Sequence, residues 1–145
     1  MKTNSELREL YSSLDIFKLE DDYNNSLKNE SKNKAAYPFF IKTDVSYEKA
    51  DTKLMIFGQH TNGWGTHTVG VTTDEVMNKY DSFLNYKYND TCDLPFLKGM
   101  KEFMNKLKKE YRTIDYLWNN IVKMGYDKKS GFPKKFYDSI KTSFK

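Results

Sequence analysis

The stretch LMIFGQHTNGWGTHTVG, residues 54–70, carries the strongest signals in the chain for both a fold and a site. Its four leading apolar residues, 54–57, predict a strand buried on both faces, as in a parallel sheet. The polar run behind them holds four of the chain's seven glycines and both of its histidines. Ligands of open α/β folds bind where the chain leaves the carboxyl end of a strand, so loop 58–70 is the candidate site.

The loop offers side chains that can donate and accept hydrogen bonds, titrate near neutral pH and stack on a ligand. They are Gln59, His60, Thr61, Asn62, Trp64 and His67. The loop contains neither GK[ST] nor G-x-G-x-x-G, which argues against a phosphate loop. Two histidines with no evident third ligand argue against a metal, and we expect no cofactor. A structural alternative is a tight turn whose Trp64 plugs the core.

Composition predicts one soluble domain spanning residues 1–145. The chain is 38% hydrophobic and 30% charged, with a mean hydropathy of −0.82, so it can fold and still carry a well-hydrated exterior. No stretch approaches the length of a signal peptide core or a membrane span, so we expect a cytoplasmic protein without membrane contact. Cys92 is the single cysteine, which excludes an internal disulfide framework.

Helical signals surround the predicted strand. Thr72 and Glu75 form a capping-box pattern that opens a helix through about Leu84. Further helices are predicted over residues 5–14, from Pro95 and from Pro133. Residues 18–36 are polar and lack a period, which predicts a connecting loop, and residues 37–41 are expected to be extended. The fold class is therefore α/β, with helices packed on a small, mainly parallel sheet.

Charge is distributed unevenly along the sequence. Residues 1–97 carry 11 Lys/Arg against 15 Asp/Glu, whereas residues 98–145 carry 13 against 5. A basic C-terminal half suits a polyanion such as nucleic acid. The alternative is that these lysines are solvated faces of amphipathic helices.

Two motifs resemble the uracil-DNA glycosylase superfamily. LMIFGQHTNGWG, residues 54–65, resembles the superfamily's first motif, in which an apolar strand runs into a loop that positions the catalytic water. LWNNIVKMGYDKKSGFP, residues 117–133, resembles the second motif, whose asparagine recognises the edge of a flipped base. The two motifs occur in family order with helices between them, and they imply a glycosylase-like α/β fold.

The resemblance also implies roles for individual residues. His60 and Asn62 would orient the water that attacks the sugar carbon. Asn120 would read the base, with Gly58, Gln59, Gly63 and Trp64 completing the substrate pocket. Lysines around the second motif would contact DNA phosphates. They are Lys123, Lys128, Lys129, Lys134 and Lys135. In the structural alternative, Asn119 and Asn120 only brace the end of a helix.

The family pattern is only partly present. The superfamily continues with further parallel strands and a late H-P-S motif, which this sequence lacks. We therefore expect a fold shortened at its C-terminus, which a protein partner could complete with the missing strands. Three functions remain open: a DNA N-glycosylase acting on a damaged base such as uracil, a non-catalytic module that binds nucleic acid or a protein partner, and a flavodoxin-like nucleotide binder.

Overall fold

The computed structural model describes residues 4–27, 33–60, 64–65, 68–88, 95–122, 124–127 and 131–143. Six helices and two strands lie within these ranges. The helices are α1 (Asn4–Ser12), α2 (Ile16–Ser26), α3 (Val45–Lys49), α4 (Thr73–Tyr88), α5 (Pro95–Leu107) and α6 (Lys134–Ser143). The strands are β1 (Thr52–His60) and β2 (Ile114–Val122). No helix within these ranges has the length and apolarity required to cross a lipid bilayer.

The two strands pair in parallel, so the predicted α/β class is confirmed. The register runs from Thr52 opposite Ile114 to His60 opposite Val122. Helices α4 and α5 lie between the strands in sequence and form the crossover that a parallel pair requires. β1 extends to His60, so the prediction that a loop begins at residue 58 is wrong. Residues 58–60 belong to the strand because their backbone continues the ladder with β2.

The prediction that residues 54–57 are buried on both faces is also wrong. Leu54 and Ile56 are partly buried and pack against Met104, Ile114 and Tyr116. Met55 and Phe57, on the opposite face, are 42% and 57% exposed. The apolar run therefore alternates in burial like a strand with one covered face.

The largest core cluster lies on the other face of β2. It joins α1, α4 and the buried stretch 37–41 to Leu117 of β2. The rings of Tyr11 and Phe40 stack with centroids 4.1 Å apart. Tyr80 of α4 accepts a hydrogen bond from the Trp118 backbone N–H at 3.0 Å and donates one to the Trp118 carbonyl at 2.7 Å. The buried Tyr80 hydroxyl therefore bonds both backbone groups of Trp118 at the edge of β2 that faces away from β1.

Helix α2 occupies the first part of segment 18–36, which the sequence analysis predicted as a loop. The prediction fails because two residues on the buried side of the helix are polar. Glu20 is fully buried, and burial, followed by the nearby Asp21, raises the pKa of its carboxyl to about 9. Asn24 is buried and bonds both the N–H and the carbonyl of Ala35. With polar groups facing inward, the apolar periodicity that signals a helix is absent.

The remaining helix predictions are confirmed. α1 spans most of the predicted residues 5–14, and α5 begins at Pro95. α6 begins directly after Pro133. At the start of α4, the Glu75 carboxylate accepts from the Thr72 N–H at 2.8 Å and the Thr72 hydroxyl accepts from the Glu75 N–H at 3.2 Å. This is the reciprocal bonding of a capping box.

Gly58 is required because the Trp118 side chain lies directly over it. A Cβ added at Gly58 would be 2.0 Å from a ring carbon of Trp118 and 2.5 Å from the Asn120 Oδ1 atom. Both neighbours belong to the paired strand, so any side chain at residue 58 must displace them.

We predict that Gly58→Ala lowers the free energy of unfolding by about 1–3 kcal/mol, the range for overpacking a filled site. The matched control is Gly99→Ala in α5, where an added Cβ meets no atom within 4 Å. That change should stabilise the protein by about 0.5–1 kcal/mol, because alanine favours a helix. Urea denaturation followed by circular dichroism measures both. Equal effects of the two variants would contradict the close approach of Trp118.

Candidate functional site

The candidate site lies at the carboxyl end of the two strands. The register places Gly58 of the first motif opposite Asn120 of the second. Residues from two motifs more than fifty positions apart in sequence therefore meet at one end of the sheet. In open α/β sheets this end of the strands is where ligands bind.

Asn120 is the most unusual polar group at this end of the sheet. It is 3% exposed, and its Oδ1 atom has no hydrogen-bond partner among the described residues. An unsatisfied buried amide oxygen costs about 1–3 kcal/mol, and native structures contain few. Asn120 lies inside β2, so the alternative in which it braces a helix end is wrong.

The neighbouring Asn119 serves the strand itself. Asn119 pairs with Phe57 in the register, and its side chain lies on the face of the sheet opposite to that of Asn120. Its amide nitrogen is 3.6 Å from the Met55 sulfur. Its Oδ1 atom accepts the backbone N–H of Asn120 at 2.9 Å. The two asparagines therefore differ in environment, and Asn120 is the one whose amide oxygen has no partner among the described residues.

Two aromatic residues without a predicted role lie near this part of the sheet. Trp118 lies two residues earlier on the same face of β2 and contacts Phe96 edge to face, with ring centroids 4.4 Å apart. Phe96, in the first turn of α5, is 46% exposed. Trp118 stands beside the asparagine pair in the sequence, and that adjacency was the available signal. The contact with Phe96 depends on how α5 packs and has no local sequence signature.

The other predicted pocket residues are less closely grouped. Gln59 is exposed in β1, and the backbone of His60 pairs with Val122. Trp64 lies against Phe39 with ring centroids 4.4 Å apart, beside the largest core cluster. The indole N–H of Trp64 is buried and has no partner among the described residues. This position matches the alternative in which Trp64 plugs the core.

Gly65 has a positive φ of 124°, which explains why this position of the loop is a glycine. This left-handed region strains other residues. The Gly65 carbonyl accepts the backbone N–H of Tyr37 at 3.4 Å, which ties this part of the loop to the buried stretch 37–41.

Several predicted site residues lie outside the described ranges. They are Asn62, Gly63, Lys123, Lys128 and Lys129. Lys134 and Lys135 are described, and both are exposed in the first turn of α6.

Two tyrosines at β2 have shifted pKa values, namely Tyr116 within the strand and Tyr80, which is bonded to its backbone. Burial raises the pKa of Tyr116 to about 12 and also raises that of Tyr80, so both phenols stay protonated near neutral pH. No group of three or more His, Cys, Asp or Glu side chains in the described part of the chain is placed to hold a metal ion. The described side chains at this end of the sheet include the Asn120 amide and the neighbouring Trp118 ring.

Comparisons of the chain with protein-family models, with curated proteins and with solved structures find no match in any of the three.

We predict that Asn120→Leu leaves the free energy of unfolding unchanged or raises it by about 1 kcal/mol, because it removes an unsatisfied buried oxygen. The matched control is Asn24→Leu, which removes both bonds to the fully buried Ala35. That change should cost about 2–4 kcal/mol, since two buried backbone groups lose their partners. Chemical denaturation measures both. A loss at Asn120 as large as that at Asn24 would mean that Asn120 has a structural role.

Proposed function

We propose that the protein is a cytoplasmic DNA-binding protein that reads an extruded base at the carboxyl ends of β1 and β2, in the manner of the uracil-DNA glycosylase superfamily. The observation that carries this proposal is the register that sets Gly58 opposite Asn120 on neighbouring parallel strands. The two motifs that resemble the superfamily thus meet at the end of the sheet where that resemblance requires a base pocket.

The amide of Asn120 has the chemistry that base recognition needs. A side-chain amide offers one acceptor and two donors, and the edge of uracil presents the complementary N–H and carbonyl groups. The Asn120 oxygen is already desolvated and has no partner among the described residues. A base that donates a hydrogen bond to this oxygen therefore removes the free-energy cost of leaving it unsatisfied. A base without a donor at that place on its edge leaves this cost unchanged.

Trp118, which lies two residues before Asn120 on the same face of β2, and its partner Phe96 would supply the stacking surface. Enzymes that act on a base hold it between aromatic or apolar side chains after extrusion from the helix. Trp118 lies over Gly58, next to the Asn120 Oδ1 atom, and contacts Phe96. Phe96 is 46% exposed, so its ring is accessible at the surface.

If the site is catalytic, the reaction is hydrolysis of an N-glycosidic bond. A water oxygen forms a bond to the sugar C1′ carbon, the bond from C1′ to the base nitrogen breaks, and the base leaves with the bonding electron pair and then takes a proton. The resemblance assigns orientation of the water to His60 and Asn62. Neutral histidine can accept the proton of that water near pH 7.

The basic C-terminal half supports binding to the DNA backbone. Contacts between lysine side chains and phosphates release counterions, so they give affinity that falls with salt and does not depend on sequence. Lys134 and Lys135 are exposed in α6, close in sequence to the second motif. The proposed binding surface also includes Lys123, Lys128 and Lys129.

A second candidate function is a non-catalytic module that binds nucleic acid. The observation that favours it is the burial of Asn120, which is 3% exposed. In such a module Asn120 stays buried, and binding uses the basic surface alone.

The experiment has two readouts, and the first is DNA binding. Fluorescence anisotropy with single- and double-stranded oligonucleotides should show affinity that falls steeply as salt rises. The double variant Lys134→Glu with Lys135→Glu should weaken binding to all sequences alike. The control Lys18→Glu changes an exposed lysine in the acidic half and should have a smaller effect. A lack of binding at low salt contradicts both candidate functions.

The second readout is release of the base. Uracil-containing DNA should yield abasic sites that alkali converts to strand breaks. One of the variants His60→Ala and Asn62→Ala removes the water-orienting residue. That variant should slow release of the base by about 100-fold or more and should retain DNA binding. Asn120→Ala should relax the choice among uracil, hypoxanthine and xanthine, whereas Asn119→Ala, on the opposite face, should not. No base release from any of these substrates, with DNA binding retained, contradicts the glycosylase and supports the non-catalytic module.

A further inference from the structure

A cleft opens at the amino end of the sheet, opposite the end that holds Asn120. It has a volume of about 430 Å³ and lies between the end of α3, the turn after α5 and the start of β2. Its wall includes Ile114, which is six residues before Asn120 in β2. At about 3.3 Å per residue the two residues are about 20 Å apart. The cleft is therefore separate from the candidate base site, and its interpretation does not rest on the proposed function.

Three cations line this cleft: Lys49, Lys108 and Arg112. None of them has an ion-pair partner among the described residues, whereas Arg8 pairs with Asp74 and Lys42 with Asp81. One carboxylate, Asp115, also lines the cleft, and its Oδ1 atom accepts the backbone N–H of Tyr116 at 2.8 Å. The charged side chains that line the cleft are therefore three cations and one carboxylate, which favours an anionic ligand.

The cations come from three separate elements of the fold. Lys49 ends α3, Lys108 follows α5, and Arg112 precedes β2. Packing of these elements against the amino end of the sheet brings the cations together, although like charges repel. An anion bound among them would remove this repulsion.

The donor set favours phosphate among the common anions. Arginine presents a planar fork that bonds two phosphate oxygens, and lysine adds a compact positive charge. The exposed Ser46 hydroxyl, also in the lining, can donate a further bond. The Thr113 hydroxyl is already used, since it donates to the Asp51 carboxylate at 2.7 Å and accepts the Asp51 N–H at 2.9 Å. The available donors match the several acceptor oxygens of a phosphate group.

We propose that this cleft binds a phosphate group, held by Lys49, Lys108 and Arg112. The phosphate can belong to a free ligand, such as a mononucleotide or inorganic phosphate, or to the backbone of a nucleic-acid strand. The chemistry of recognition is the same for each source.

The test is a nuclear magnetic resonance titration of the intact chain with inorganic phosphate and with adenosine monophosphate, at constant ionic strength set by chloride. The backbone amide signals of Ser46, Lys49 and Arg112 should shift and saturate. Arg112→Gln and Lys108→Gln should each weaken phosphate binding about tenfold or more, since each removes a charge-assisted bond. The control is Lys109→Gln, an equal charge change at an exposed neighbour that does not line the cleft.

A third arm distinguishes the sources. If Arg112→Gln weakens DNA binding and inorganic phosphate competes with DNA, the bound group is a backbone phosphate. If Arg112→Gln weakens phosphate and mononucleotide binding but leaves DNA binding unchanged, the bound phosphate belongs to a free ligand. Either result supports the site. The proposal is overturned if phosphate gives no saturable shift at these residues, or if Lys109→Gln weakens binding as much as Arg112→Gln does.

Discussion

The parallel ladder between β1 and β2 is the interaction on which the rest of the structure depends. Its register decides which residues meet across the strands, so it places Gly58 opposite Asn120 and Ile56 opposite Trp118. A shift of one residue would turn every side chain of one strand to the opposite face. The tight fit of Trp118 over Gly58 then opposes such a shift, because any other residue at that position carries a Cβ that meets the ring.

Two strands alone make a weak sheet, and packing on both faces of β2 supplies what the ladder lacks. Met104 of α5 packs on the face that carries Tyr116, and Leu117 enters the largest core cluster on the other face. Tyr80 bonds the outward-facing backbone groups of Trp118. β2 is thereby held on its faces and at its edge, which fixes the position of Asn120 within the strand.

The sequence predicted the features that local chemistry determines. The apolar run 54–57 and the caps at Thr72, Pro95 and Pro133 located one strand and three helices, because these signals depend on nearby residues alone. The buried Glu20 and Asn24 concealed helix α2, since their burial arises when α2 packs against other parts of the chain, such as Ala35. The exposure of Met55 and Phe57 could not be predicted for a similar reason. A continuous apolar run does not indicate which face of the strand other elements will cover.

Some residues of the candidate site could likewise be predicted from the sequence, and others could not. Gly58 and Asn120 could be identified from motifs, and the parallel register brings them together. Phe96 could not be identified, because its contact with Trp118 arises from the packing of α5 on β2. The cations of the second cleft were equally hidden, since Lys49 and Arg112 are far apart in sequence and meet only through the fold.

Amide hydrogen exchange in the intact chain tests the parallel ladder most directly. In the observed register the backbone N–H of Thr52 bonds the Thr113 carbonyl, so the N–H groups of Leu54 and Ile56 also point toward β2 and those of Met55 and Phe57 point away. Slow exchange at Leu54, Ile56 and Gly58, with fast exchange at Met55 and Phe57, is the predicted result. Uniform protection along residues 52–58, or protection at Met55 and Phe57 in place of their neighbours, would contradict the register and the site built on it.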